Sequence, residues 1–341
     1  MKHIINLFVS GLIIVIFPAI TSAVSIDSLI CHGIEQSILQ NYSEAEDVFT
    51  SLISSEPLNP RAYFFKAAVI QSKMMDFESM EWEAEFYKLL DQTEAKAKQL
   101  KQQQPENPWS YFYLGSAYSY RAFYEGRAGS YVTAAKHGLA GIKALKKAIE
   151  IDSTIYDVYF GLGSYKYWRS KMTRYINWLP LIKDERKQGT EMVKQAASKG
   201  RYTRYAAINE LTWILIDDGQ VSEALSWAKI GLAKYPHSRF FMWGTAKCYF
   251  NLQQYNEALI MYEQILESLS QESINNHYNE IICYYKIADC YYHLNDNDSA
   301  LRYCNYISTI PLTDDIQNKL KEIFEKVKKL QRAVLDSMEN Q

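Results

Sequence analysis

The strongest constraint in this sequence is a spacing. Pro57, Pro105, Ser153 and Arg201 lie 48 residues apart, each closing a stretch of helical apolar periodicity. Such a repeat builds a row of similar units rather than one compact core, because each unit exposes an apolar face that only its neighbours can cover. Laid over one another, the intervals 58–105, 106–153 and 154–201 match column by column. Tyr63, Tyr111 and Tyr159 align, and so do Phe64, Phe112 and Phe160. Ala67, Gly115 and Gly163 align as the small residue where two helices can cross closely. Lys73, Arg121 and Arg169 align beyond them, and Ala97/Leu100, Leu145/Ala148 and Val193/Ala196 mark the second helix of each unit. Spacings of three and four put these residues on one stripe per helix.

The flanks continue the pattern at other lengths. Residues 24–57 read as a first helical hairpin, with Ala45, Phe49 and Leu52 on its second helix. Residues 202–312 read as three further units, in which Ala224 and Ala258 are 34 residues apart and Pro236 and Pro311 end the first and the last. The last of these is lengthened by a polar loop within Ser268–Tyr278. In residues 313–341, Ile316, Leu320, Ile323, Val327, Leu330 and Val334 form one stripe behind a Thr313 or Asp314 cap. That is a polar-backed end helix for a repeat array; a coiled-coil dimer helix is the rival, with fewer heptads than that fold uses.

The signature inside the units identifies the family they resemble. Pro108-Trp109-Ser110-Tyr111-Phe112-Tyr113-Leu114-Gly115-Ser116-Ala117-Tyr118 carries an aromatic, then Leu-Gly three residues on, then Tyr. Tyr159-Leu162-Gly163, Ala224-Ala228-Gly231-Pro236 and Ala258-Tyr262-Ile265 repeat parts of the same pattern. Over 25–312 the chain resembles tetratricopeptide repeat proteins. The resemblance implies an all-α fold: a right-handed α-solenoid of antiparallel helix pairs, about seven units with a C-terminal capping helix, serving protein–protein binding without catalysis. A weaker resemblance over 106–245, carried by Trp178-Leu179-Pro180 and Asp184-Glu185-Arg186-Lys187-Gln188-Gly189, is to the eukaryotic inclusion-body-clearance branch of these proteins.

A family unit has about 34 residues, so each 48-residue unit carries an excess after its first helix. Met74–Tyr87 reads as helical and acidic, Ala122–Lys136 must bend at Gly126 and Gly129, and Ser170–Glu185 must break at Pro180. Longer helices or an added short one are expected there, on one edge of the solenoid.

Residues 1–23 stand apart from the repeats. A short basic start, an apolar run from Ile4 to Phe17, Pro18, and the small residues Thr21-Ser22-Ala23 form the layout of a secretory signal peptide, with an uncleaved anchor as the alternative. Losing them removes only Lys2 and moves the net charge from −2 to −3. That balance argues against general nucleic-acid binding. A location in the periplasm or at the outer membrane is expected, peripheral to the membrane at most. The five cysteines form no C-x-x-C; Cys304 can reach Cys283 or Cys290, or all are buried as small apolar residues.

No sequence pattern marks a catalytic, metal or cofactor site: there is no H-E-x-x-H, no phosphate loop and no nucleophile elbow. Asp296-Asn297-Asp298 lacks the glycine and distant glutamate of a calcium loop and reads as a turn. In the family that the chain resembles, first helices line the concave groove. The binding candidates there are Trp109, Phe112, Phe160, Tyr167, Trp168, Trp213, Trp243, Phe250, Tyr285 and Tyr292. The bland alternative is that these aromatics pack between helices. Arg121 and Arg169, with Lys166, Lys171 and Arg174, form a candidate anion spot beside them, against the alternative of a solvated face with acidic partners. Two functions are expected from this surface: a scaffold for a protein or peptide partner, and a carrier of an apolar ligand or lipid.

Overall fold

A computed structural model describes residues 25–173, 183–272 and 274–339. The signal-peptide reading, Arg174 and Asn177–Pro180 lie outside the described residues. Among the described residues there are sixteen helices and no strand. Fourteen of them form seven consecutive pairs: α1 (Ile26–Ile38) with α2 (Tyr42–Ser55), α3 (Pro60–Asp76) with α4 (Glu83–Gln103), and α5 (Pro108–Arg127) with α6 (Tyr131–Ile151). Next come α7 (Asp157–Met172) with α8 (Arg186–Lys199), α9 (Arg204–Asp217) with α10 (Val221–Lys234), and α11 (Arg239–Asn251) with α12 (Tyr255–Ser270). The seventh pair is α13 (Tyr278–His293) with α14 (Asn297–Ile307), and α15 (Asp314–Lys319) and α16 (Lys321–Glu339) cap it.

The long units begin where their sequence says they should. Asn59 and Asn107 sit at the N-caps before Pro60 and Pro108, and each side chain accepts a backbone hydrogen bond, from Arg61 and Trp109 respectively, at 3.1 Å. Proline at the first helical position loses no needed donor, so Asn-Pro both caps and starts the helix. Within the pairs, the aligned small residues set how closely the helices approach. A Cβ on Gly115 would lie 2.9 Å from the Gly141 carbonyl oxygen, and one on Gly163 would lie 2.7 Å from that of Gly189. These crossings are 48 residues apart, and the corresponding crossing in the preceding unit holds Ala67 and buried Thr93.

The excess residues resolve differently in the first two of the long units. In the second they lengthen α5 and α6, which meet in a short turn at Gly129, where φ is +79°. In the first, the expected acidic helix over Met74–Tyr87 does not form as one piece. The chain turns between α3 and α4, with Glu78 at φ 44°, and this turn is pinned by the far end of the molecule as described below. The capping stripe likewise bends at Leu320, although hydrogen bonds from Leu320 to Ile316 and from Phe324 to Leu320 carry the helical ladder through. Ile316, Leu320, Val327, Leu330 and Val334 are buried against the last pair. Cys248, Cys283, Cys290 and Cys304 are free and buried, and Cys31 is free and exposed.

Candidate functional site

The first unit and the α3–α4 turn run along the loops that join the later units, forming a seam between distant parts of the chain. At one end, the Asp27 carboxylate meets the Arg201 guanidinium and accepts from the Tyr202 hydroxyl. The loop presenting both is fixed by Asp157 on α7, which accepts from the backbone amides of Arg201 (3.1 Å), Tyr202 (2.7 Å) and Thr203 (2.7 Å). In the middle, Ser238 donates to the Ile38 carbonyl at 2.5 Å, and the Arg239 amide donates to Gln40 at 3.1 Å. At the other end, Asn276 donates to the Phe77 carbonyl (2.6 Å), Asn279 to that of Asp76 (2.5 Å), and Lys319 to that of Glu78 (3.2 Å).

Arg239 is the centre of this seam. Its side chain is 2% exposed. Nη2 lies 2.5 Å from Asp76 Oδ2 and 2.6 Å from Glu272 Oε1, and Nη1 donates to Ser268 at 2.7 Å. Burial alone would favour the neutral form, but the two carboxylates outweigh it and hold the guanidinium charged more firmly than usual. Sequence reasoning did not find this residue. Its signal is an arginine at the N-terminus of α11, where the helix dipole disfavours a cation; such a residue needs carboxylates from elsewhere.

Of the ten predicted aromatic binding residues, two are enclosed and eight are partly buried. Phe112 is 2% exposed and Tyr167 is 0% exposed, so neither is free to meet a partner. Phe112 packs edge-on against Phe64 at 5.7 Å, and the Tyr167 hydroxyl donates to Asp217 at 2.7 Å. Trp109 is partly buried among Phe112, Tyr113 and Tyr202, with ring centroids 5.3–6.0 Å away. Phe160 and Trp168 pack against the core around α9, and Trp168 Nε1 donates to Glu210 at 2.6 Å. The basic spot is cancelled by acids: Arg121 pairs with Asp91, Lys166 and Arg169 both pair with Glu185, and Lys171 pairs with Asp217.

Nearer the C-terminus, Trp213, Trp243, Phe250, Tyr285 and Tyr292 are partly buried on first helices to the same degree as Trp109, Phe160 and Trp168, and Trp243 stands edge-on to Tyr262 at 6.2 Å. A feature that the sequence pattern does not display joins two of them. Lys286 Nζ lies 5.1 Å from the Phe250 ring centroid and 4.9 Å from that of Tyr285. Lys247 Nζ approaches the same Phe250 ring at 5.7 Å. Among the described residues, Lys286 is paired with one acid, Asp289, at 3.7 Å, and Asp289 is equally far from His293. Burial first, then the positive fields of Lys247 and Lys326, push the Lys286 ammonium below its ordinary range, against the opposing pull of Asp289. Among the described residues, neither Lys247 nor Lys326 has an ion-pair partner. The site therefore carries uncompensated positive charge between aromatic walls.

Comparison with known proteins identifies the repeat in one stretch and the fold of the whole. Residues 241–305 match the family model for the tetratricopeptide repeat. Those residues carry the tetratricopeptide repeat, and the described helices form an α-solenoid of antiparallel pairs. The fold is similar to that in the crystal structure of the APC/C hetero-tetramer Cut9–Hcn1, at a TM-score of 0.54 and 14% identity, over 92% of this chain and 52% of that one. The chain thus spans about half the length of that structural relative. Weaker likenesses are to PilW, a type IV pilus biogenesis factor (TM-score 0.48, 14% identity, 72% of this chain and 97% of that one), and to the C-terminal part of a repeat protein from Cytophaga hutchinsonii (TM-score 0.45, 15% identity, 85% and 99%). No curated protein sequence matches the chain. Among the described residues, no helix is long and apolar enough to cross a membrane.

Proposed function

We propose that this tetratricopeptide repeat protein is an exported, non-enzymatic scaffold of the bacterial cell envelope. It binds an extended acidic segment of a protein partner on the first-helix surface of α11 and α13. Export rests on the signal-peptide layout of residues 1–23. The observation that carries the binding site is Lys286, half-buried between Phe250 and Tyr285 with two further lysines near it and a single shared carboxylate. A carboxylate of the partner would restore the missing charge there, and its apolar side chains would lie on the flanking rings. In this reading Trp109, Phe112 and Tyr167 hold the scaffold together, and Phe250 and Tyr285 meet the partner.

The test is fluorescence anisotropy with two labelled peptides, one alternating glutamate with apolar residues and one with glutamine in place of each glutamate. The acidic peptide is expected to bind more tightly. A Lys247→Ala/Lys286→Ala variant is expected to weaken it by roughly tenfold or more, the loss of about two charge-assisted hydrogen bonds. Equal binding of both peptides would sink the proposal. An apolar molecule retained through native mass spectrometry would instead favour the carrier function.

A further inference from the structure

One surface stays outside both the seam and the lysine site: the outward face of α6. Its N-terminal half carries Tyr131, Val132 and Leu139, exposed by 75%, 85% and 65%. Exposure that high means they protrude; they do not line a groove in which a peptide or helix could lie. Their spacing places Val132 and Leu139 on one stripe, and Lys143 and Lys146 continue that stripe toward the C-terminus. Lys136, Lys143, Lys146 and Lys147 are all solvent-accessible, and the helix has no acidic residue until Glu150, which pairs with Lys147 at 3.4 Å. A protruding apolar end followed by a row of lysines is the pattern of a helix that lies in a lipid interface. Tyrosine suits that depth, with an apolar ring and a polar tip, and lysine stems reach to headgroup phosphates.

We propose that the outer face of α6 docks the solenoid on an anionic phospholipid surface, with Tyr131, Val132 and Leu139 entering the interface and the lysines contacting the headgroups. The charge on α6 selects this occupant over an apolar protein surface. Exposures of 65–85% at the protruding residues select it over an acidic peptide that would have to be enclosed. Docking through this face is separate from the lysine site on α11 and α13, so either can fail without the other.

The experiment uses the full chain with vesicles of phosphatidylethanolamine containing phosphatidylglycerol, and vesicles of phosphatidylcholine as the uncharged comparison. Hydrogen–deuterium exchange reports where contact occurs, which separates α6 from any binding by the apolar N-terminal stretch. The expected result is protection of the first turns of α6 by the anionic vesicles only. It should fall at least tenfold in a Val132→Ser/Leu139→Ser variant, and several-fold in a Lys143→Gln/Lys146→Gln variant or at high salt. Both variants alter outward-facing positions and should keep the thermal midpoint of the parent. Three results would overturn the proposal: no vesicle-dependent protection in α6, equal protection by phosphatidylcholine, or a concentration-dependent dimer that Val132→Ser/Leu139→Ser dissolves.

Discussion

Arg239 and Lys286 are both cations drawn out of water among aromatic helices, and their surroundings treat them in opposite ways. Arg239 has two carboxylates and a hydroxyl within hydrogen-bond reach, from the last residue of α3 and from the end of α12 onward. Lys286 has one carboxylate, shared with His293, and two other lysines in its field. A buried guanidinium whose donors are met on several sides fixes one geometry, here the contact between the first two units and the last three. A half-buried ammonium that lacks such partners contributes little to folding and keeps its capacity for an external anion. The seam and the lysine site are thus told apart by how completely each charge is satisfied, more than by how deeply it is buried.

The sharpest way to break this contrast is at its satisfied end. Arg239→Met should cost about 3–5 kcal/mol, because Asp76 and Glu272 would be left facing each other without their cation. Urea denaturation measures the loss, and hydrogen exchange should show it spreading from α1 and the α3–α4 turn. A loss below about 1 kcal/mol, the range of an exposed pair, would mean that the seam is not structural. Gly163→Val tests the unit that connects the two regions. Its added carbon would meet the Gly189 carbonyl oxygen at 2.7 Å and Val193 at 2.8 Å. Overpacking of this kind costs about 1–3 kcal/mol. Unlike Arg239→Met it should lower the thermal midpoint while the seam amides keep their protection relative to the rest of the chain. Asp27→Asn is milder, since Asp27 and Arg201 have side chains 39% and 54% exposed. It should cost no more than about 1 kcal/mol, read as faster exchange confined to the first turns of α1.

Much of the scaffold is legible in the sequence, for reasons visible in particular residues. Asn59-Pro60 and Asn107-Pro108 start helices through local chemistry, and Gly115 and Gly163 mark crossings through local size. Such features act within a few residues or within one repeat, so a periodic sequence displays them. The seam depends on pairs about 160 to 240 residues apart, such as Asp76 with Arg239 and Lys319 with the Glu78 carbonyl. No repeat pattern encodes these, because they exist only once the array has curved back on itself. That curvature also explains Glu78, which helical periodicity assigns to a continuous acidic helix and which sits instead in a turn. The binding candidates divide for a related reason. Aromatic stripes at helical spacing identify first helices, but they do not distinguish Phe112, enclosed by neighbouring rings, from Phe250, which carries lysines on its face.

The smallest expected effect sharpens the comparison most, because its sign is opposite. Lys286→Met removes a charge that burial and two neighbouring lysines already disfavour, and methionine fills a similar volume beside Phe250 and Tyr285. Where Arg239→Met destabilises, Lys286→Met should leave the urea midpoint unchanged or raise it slightly near neutral pH. The pH dependence follows from the lowered ammonium pKa. Between the folded value and the higher unfolded one, the unfolded chain binds more protons, so the parent gains stability as pH rises through that window. The variant lacks this gain. Its advantage over the parent should therefore shrink as pH rises toward the ordinary lysine range. Parallel urea titrations of parent and variant at neutral and alkaline pH measure the difference. If Lys286→Met proves as damaging as Arg239→Met, then Lys286 is a satisfied structural cation like its counterpart, and the surface of α11 and α13 has no charge left to offer a partner.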